Sequence, residues 1–224
     1  MERLRKRSWL IWFSVSLLLG VYCFAGYLAS QSAATEIRLE PGAAFSIRVL
    51  RLAADDLRME LEFRGDHVRR RLELGDWVLK SEEINSGFLR FATPGAVIRV
   101  AASIPGAAPV IYEAMPVSHY SGDSTTRRLT SDASAEPGVW RWPPHYNDLI
   151  LHGGYNDIKV EVLSVGPPLV GEGVRLVVLP TLGFKVVRQN GVSGLFFWFF
   201  WPVMLAGQLL WAIMLIAKSR RLPQ

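Results

Sequence analysis

The sequence predicts an all-β domain, of the β-sandwich or jelly-roll-like type, flanked by two transmembrane α-helices. Three observations support this prediction: an apolar run near each end of the chain, basic residues just outside each run, and short alternating segments punctuated by Gly and Pro between the runs. The predicted boundaries are a basic tail (1–8), transmembrane helix 1 (9–30), the β-domain (31–193), transmembrane helix 2 (194–217) and a second basic tail (218–224).

The first apolar run, SWLIWFSVSLLLGVYCFAGYLAS, covers residues 8–30. Roughly 20 apolar residues in a helix cross a membrane core about 30 Å thick, and a helix satisfies its own backbone hydrogen bonds there. A signal peptide cleaved around Ala29 to Ala34 is the alternative. Because the apolar regions of signal peptides run only about 7–15 residues, the length favours an uncleaved signal-anchor.

The second apolar run, Gly194–Ala217, has no charged residue but contains Pro202 and Gln208. Proline removes a helical hydrogen bond and kinks the helix, and an amide near the bilayer centre costs free energy unless it finds a partner. We therefore expect the two helices to pack against each other or against a helix of a partner subunit, through small and polar side chains. The predicted packing positions are Ser16, Gly20, Cys23, Pro202, Gly207 and Gln208.

Basic residues close to the span ends predict the orientation, because such residues stay in the cytoplasm. Both termini are therefore expected in the cytoplasm and the β-domain outside it. Cys23 is the only cysteine and lies in the first span, so the exported domain has no disulfide. The chain has no N-x-S/T sequon, which favours a bacterial periplasm and hence the inner membrane. The basic residues concerned are Arg3, Arg5, Lys6, Arg7, Lys218, Arg220 and Arg221.

The positive net charge resides in the tails and not in the β-domain. The chain carries a net charge of +5, but the tails hold seven of its 25 Lys and Arg and only one of its 20 acids. The remainder has 18 basic and 19 acidic residues and is nearly neutral. We therefore expect no nucleic-acid binding, which needs a basic surface.

Alternation of apolar and polar residues predicts the strands. The clearest strand is LRMELEF (57–63), and we expect it to form a hairpin with VRRRLEL (68–74) through a turn at RGDH (64–67). No segment between the spans has a convincing helical period. Gly and Pro separate most of the other strand candidates, which favours a sandwich or jelly-roll-like fold. These candidates are AFSIRVLRL, GFLRFA, AVIRVAASI, PVIYEAMPV, DIKVEVLSV and VRLVVLPTL.

Residues 118–156 differ in composition from the rest of the domain. The first half is rich in Ser, Thr, Asp and Gly, which predicts an exposed loop. The second half contains VWRWPPHYNDL (139–149), whose aromatic rings and arginine suit a ligand- or partner-binding surface. In the alternative, both tryptophans point into the core, because a W-x-W spacing places them on one strand face. The candidate binding residues are Trp140, Arg141, Trp142, His145 and Tyr146.

Catalytic and metal-binding signatures are missing from the sequence. It has no G-x-S-x-G, Walker, G-x-G-x-x-G or H-E-x-x-H motif, and HGGY (152–155) is interpreted as a Gly-Gly turn into a strand. The four histidines are scattered, although His145 with Asp148, or His152 with Asp157, are pairs that can converge in space. Zinc needs three or four ligands held together, so we expect no metal site and no cofactor.

Three functions fit these features. The first is a non-catalytic accessory, scaffolding or assembly subunit of a membrane protein complex, embedded in the lipid bilayer beside partner subunits or as a homo-oligomer. The second is a membrane-tethered module that binds a glycan, lipid or peptide ligand. The third is an envelope enzyme whose residues, such as His145, Asp148 and His152, converge from distant strands. The expectation is the first of the three.

Overall fold

The structure is a computed structural model that describes residues 2–64, 71–79, 87–121, 124–134, 136, 138–141, 148–181 and 191–220. Side chains are described for these residues except 2–5, 118–121, 191–199 and 220. The chain divides into two compact units. One unit is Ser32–Pro180, and the other combines Met1–Gln31 with Thr181–Gln224.

The described residues contain two long helices, thirteen strands and two 3-10 turns, Leu72–Leu74 and Pro167–Leu169. In chain order the helices and strands are α1 (Glu2–Ala29), β1 (Ala33–Arg38), β2 (Ala44–Arg51), β3 (Asp55–Asp56), β4 (Met59–Arg64), β5 (Asp76–Leu79), β6 (Phe88–Thr93), β7 (Ile98–Ser103), β8 (Val110–Ser121), β9 (Ser124–Thr130), β10 (Val139–Arg141), β11 (Ile150–Leu151), β12 (Gly154–Val165), β13 (Gly173–Val178) and α2 (Gly191–Arg220).

Eight of these strands form one antiparallel sheet in the order β1-β13-β4-β9-β8-β7-β12-β2. Its edge strands, β1 and β2, lie next to each other without a hydrogen-bonded ladder, so the sheet is nearly closed and barrel-like. The prediction of an all-β domain is confirmed at this level, and the finer sandwich or jelly-roll type stays a prediction.

Alternation places the core inside this sheet. In β4, Met59, Leu61 and Phe63 are buried, while Glu60 and Glu62 are only partly buried on the other face. The same pattern recurs in β12 and β13. Burial of apolar side chains on one face of a strand contributes about 25 cal/mol per Å² removed from water, which favours this register over one shifted by a single residue.

The antiparallel order gives the main sheet two distinct ends. The starts of β1, β4, β8 and β12 lie at the same end as the finishes of β2, β7, β9 and β13, because every neighbouring pair is antiparallel. The chain enters the domain at this end through Ser32 and leaves it through Pro180. There, Ala33 of β1 is paired with Val178 of β13. We call it the tethered end and its opposite the far end.

Two smaller sheets complete the domain. Strands β10, β6 and β5 form a three-stranded sheet in that order, and β11 pairs with β3. Hydrophobic side chains of the three-stranded sheet make a second small core with Met115 of β8. This core is separate from the one inside the main sheet.

Two of the local predictions are wrong. Segment 68–74 does not form a hairpin with 57–63, because β4 pairs with β13 and β9 instead, and its described part contains the 3-10 turn Leu72–Leu74. The first half of the predicted loop is also regular, because β8 extends to Ser121 and β9 follows. In β9 the alternation of buried and exposed positions includes a buried arginine, Arg127, which conceals the strand in the sequence.

Both terminal helices are long and apolar enough to cross a membrane. The candidate spans within the described residues are Lys6–Ala29 and Phe200–Ser219, and α2 contains Pro202 in its interior. Two such helices are compatible with a two-pass membrane protein.

Candidate partner-binding site

The predicted aromatic segment begins on the three-stranded sheet. Strand β10 pairs with β6, and this pairing places Trp140 opposite Leu89 and Arg141 opposite Phe88. The Trp140 side chain is 1% exposed, so the buried alternative describes this residue, and it offers no surface to a ligand. Arg141 is exposed. The other three candidates, Trp142, His145 and Tyr146, lie outside the described residues.

An aromatic row connects Trp140 to the surface at β5. The Phe91 ring lies edge-on to Trp140 with centroids 5.2 Å apart, and the Trp77 ring lies 4.8 Å from Phe91 on its other side. Trp77 is 48% exposed, and its neighbour Val78 is exposed to a similar degree. Offset and edge-to-face pairs of this kind contribute about 0.5–1.5 kcal/mol each beyond the burial of area. The buried rings therefore hold Trp77 in a fixed position at the surface.

We call Trp77 and Val78 on β5 the Trp77 site. The strand is an edge of the three-stranded sheet, and edge strands are common places for another chain to dock. Sequence reasoning missed this site because β5 has only four residues and shows no alternation over a useful length. The available signal was an isolated tryptophan in a short apolar run, DWVL.

The Trp140 indole nitrogen is a buried donor without a hydrogen-bond acceptor in the described structure. Such a group costs about 1–3 kcal/mol of desolvation. Trp140 is therefore buried for the packing of its ring, which fills the small core against Phe91, and not for its polar atom.

Arg127 joins the three-stranded sheet to the main sheet. Its guanidinium donates hydrogen bonds to the carbonyl oxygens of Met115 (2.8 Å), Ala114 (2.8 Å), Ala96 (2.7 Å) and Pro94 (3.5 Å). The first two carbonyls belong to an irregular part of β8, and the other two follow β6. Burial lowers the pKa of Arg127 to about 10, against the attraction of Glu113. Arg127 thus fixes the position of β6, on which the Trp77 site packs.

The titratable pairs considered in the sequence are not assembled into a catalytic group among the described residues. Asp157 forms an exposed ion pair with Arg48 (2.8 Å), which lowers the pKa of Asp157. His152 is exposed, and its backbone N–H donates to Asn156, which closes the Gly-Gly turn before β12. Asp148 accepts a hydrogen bond from Ser131 (2.9 Å). In the described part of the chain no three His, Cys, Asp or Glu residues are grouped to hold a metal ion.

The two helices contact each other through part of the predicted packing set. The hydroxyl of Ser16 donates to the amide oxygen of Gln208 (3.3 Å), and the indole N–H of Trp12 donates to the backbone oxygen of Gln208 (3.1 Å). Cys23 is half-buried on the same side of α1. Gly20, Pro202 and Gly207 are exposed, and a Cβ at either glycine would meet nothing within 4 Å, so these three lie outside the contact between the chain's own helices.

Replacing Ser16 by alanine should weaken the helix pair by about 0.6–2 kcal/mol, because the Gln208 amide loses its partner in an apolar environment. Ser14→Ala is the matched control, since Ser14 lies on the exposed side of α1. Pyrene labels at Lys6→Cys and Ser219→Cys, in a Cys23→Ser background, report the separation because both positions line one cleft. The midpoint of excimer loss during SDS titration should fall for Ser16→Ala alone. Equal midpoints for the two variants would refute the role of this hydrogen bond.

Comparison with known proteins does not assign this chain to a family. No protein-family model matches the chain, and no curated protein matches it. Among solved structures, the crystal structure of GEBA250068378 from Sulfurospirillum deleyianum is similar at 14% sequence identity and a TM-score of 0.42. The match covers 67% of this chain and 97% of that protein.

Proposed function

We propose that this protein is a two-pass protein of the bacterial inner membrane, with both termini in the cytoplasm and the β-domain in the periplasm. Within that setting it serves as a non-catalytic accessory, scaffolding or assembly subunit of a membrane protein complex. The two apolar helices and the basic residues that flank them in the sequence support the topology.

The Trp77 site is the observation that carries the proposal of a partner. A half-exposed tryptophan on an edge strand, held in place by buried rings, has the features of an interface hot spot: large apolar area at a low cost in side-chain entropy. The helices supply further support, because Gly20 and Gly207 are exposed and small residues let a partner helix approach closely.

The second candidate is a membrane-tethered module for a glycan, lipid or peptide, built on a β-sandwich or jelly-roll-like domain. The same observation favours it, since the exposed half of the Trp77 ring also suits stacking against a sugar ring or a peptide side chain. In the first candidate function a partner protein covers the Trp77 ring, and in the second a glycan, lipid or peptide ligand covers it.

Photocrosslinking in intact cells tests the proposal. A benzoylphenylalanine at Val78 should give adducts with one defined protein, and Trp77→Ser in the same chain should lower their yield about tenfold or more, as expected for a hot-spot residue. Leu163 on β12 is the matched control, because it is an exposed apolar position on the main sheet.

No adduct at Val78, or the same adducts from Leu163, would refute the partner-binding role. Loss of glycan or peptide binding by Trp77→Ser, without any protein adduct, would establish the second candidate in its place. A thermal scan of Trp77→Ser in mild detergent shows whether the domain still melts cooperatively.

A further inference from the structure

Several turns at the tethered end of the β-domain share an unusual composition. The β2–β3 turn (52–54), the β7–β8 turn (104–109) and the β11–β12 turn (152–153) all lie there, because β2 and β7 finish at this end and β8 and β12 start there. Every residue in these three turns except the buried Ile104 is exposed, and none is Asp, Glu, Lys or Arg. We call these segments the tethered-end turns.

Large apolar side chains are exposed around these turns. Leu52 lies in the first turn, Ile111 is the second residue of β8 after the second turn, and Ile150 and Tyr155 are close to the third on its two sides. Leu52 is 49% exposed, Ile150 is 55% exposed and Tyr155 is 73% exposed. Exposure to this degree at four positions around one end is costly in water, at about 25 cal/mol per Å² of apolar surface.

Two arginines near the tethered-end turns, Arg51 and Arg58, are directed into the domain, whereas Arg48 lies over the Tyr155 ring at 5.8 Å and forms an exposed ion pair with Asp157. Arg51 and Arg58 are both almost fully buried, and the Asp55 carboxylate lies between them, 3.8 Å from Arg51 and 3.2 Å from Arg58. Arg51 also donates to the carbonyl oxygen of Leu179 (2.6 Å), and Arg58 donates to that of Pro180 (3.3 Å). Burying two guanidinium groups carries a large desolvation cost. As a result, neither of these two positive charges is exposed at the tethered end.

The far end has the opposite character. Its β1–β2 turn presents the exposed ion pair of Arg38 and Glu40, and its β12–β13 turn carries Glu172, which binds the Arg71 guanidinium at 2.7 Å. The tethered-end turns therefore lack the charged residues that these far-end turns carry, and the chain enters and leaves the domain at the tethered end.

We propose that the tethered-end turns rest on the lipid bilayer, with Leu52, Ile111, Ile150 and Tyr155 at the boundary between headgroups and acyl chains. The inference rests on the two-pass topology of the proposed function. Only three residues separate α1 from β1, a length of about 11 Å at full extension. Uncharged turns avoid the cost of dehydrating ions at the membrane surface, and tyrosine is enriched at that depth.

Fluorescent labelling of the full chain tests this inference. In a Cys23→Ser background, single cysteines at Leu52 and Ala107 are labelled with the environment-sensitive dye NBD, and the protein is reconstituted into phosphatidylcholine vesicles. Val170 at the far end is the matched control, since it is 53% exposed. We expect blue-shifted emission at both test positions and at least twofold quenching by lipids that carry a doxyl group near the headgroup. The Val170 label should keep aqueous emission and remain unquenched.

The emission and quenching of the labels at Leu52 and Ala107 test whether the tethered-end turns contact lipid. Aqueous emission without quenching at both positions would overturn the inference, and so would blue-shifted emission without quenching, which indicates a covering protein surface. Alkaline carbonate extraction of cell membranes separates this failure from failure of the proposed topology. Release of the chain by carbonate refutes the membrane anchoring itself, whereas a retained chain with unquenched labels refutes only the contact of these turns with lipid.

Discussion

Replacing Arg127 by methionine should destabilise the β-domain by about 3–5 kcal/mol, the largest loss expected from a single substitution in this chain. The guanidinium satisfies four backbone carbonyls at the junction of the two sheets, and it is fully buried. Methionine fills part of the volume but leaves the carbonyls without donors, at about 1–3 kcal/mol for each that water does not reach. Lysine keeps the positive charge, but its single ammonium group cannot reach the carbonyls that the planar guanidinium contacts together. Arg127→Lys should therefore also be strongly destabilised.

The neighbouring arginine supplies the control for this prediction. Arg128 is exposed on the other face of β9, and Arg128→Met should change stability by no more than about 0.5 kcal/mol. Denaturant unfolding of the full chain in mild detergent, followed by tryptophan fluorescence, measures both variants. Similar midpoints for Arg127→Met and the wild type would show that Arg127 does not hold the junction.

Replacing Gly95 by alanine should give the second-largest effect. Gly95 and Gly75 both have positive φ, 74° and 78°, and their backbones touch. A Cβ at Gly95 would lie 2.6 Å from the Gly75 nitrogen and 2.6 Å from the Leu74 carbonyl carbon, and backbone atoms at that position cannot rotate away. The left-handed φ alone costs alanine about 1–2 kcal/mol, and the overlap adds to this.

Gly42→Ala separates the two contributions to this loss. Gly42 has a similar φ of 85°, but nothing lies within 4 Å of a Cβ there. It should therefore lose only the conformational part, about 1–2 kcal/mol. Both variants are measured by thermal melting of the full chain in detergent. If they melt together, the close approach of the two glycines has no energetic importance.

The sequence predicts strands well where the burial pattern follows residue polarity. In β4 and β12 apolar residues alternate with charged ones, so the period of two is visible. In β9 the buried position between Thr125 and Leu129 is Arg127, whose burial depends on carbonyls distant in the sequence. No local pattern reveals such a partner, so the sequence predicts a loop where the structure has β9.

The sequence also does not reveal which strands pair when they are distant in the chain. The predicted hairpin assumed that β4 pairs with the next segment, whereas it pairs with β13, more than 100 residues later. The candidate site shows the same limit. The aromatic composition of segment 139–149 makes Trp140 and Arg141 candidates, but Trp77 becomes a candidate only when β5 and β10 lie on opposite sides of β6. Residue types alone do not carry this information.

The pairing of Ala33 with Val178 has a mechanical consequence. Tension between the two helices reaches the domain through neighbouring residues of adjacent antiparallel strands. Their hydrogen bonds run perpendicular to the strands, so such a load is parallel to the bonds and breaks them one after another. The ladder would peel open at low force from that side, whereas a load along the strand axes would strain all its bonds at once.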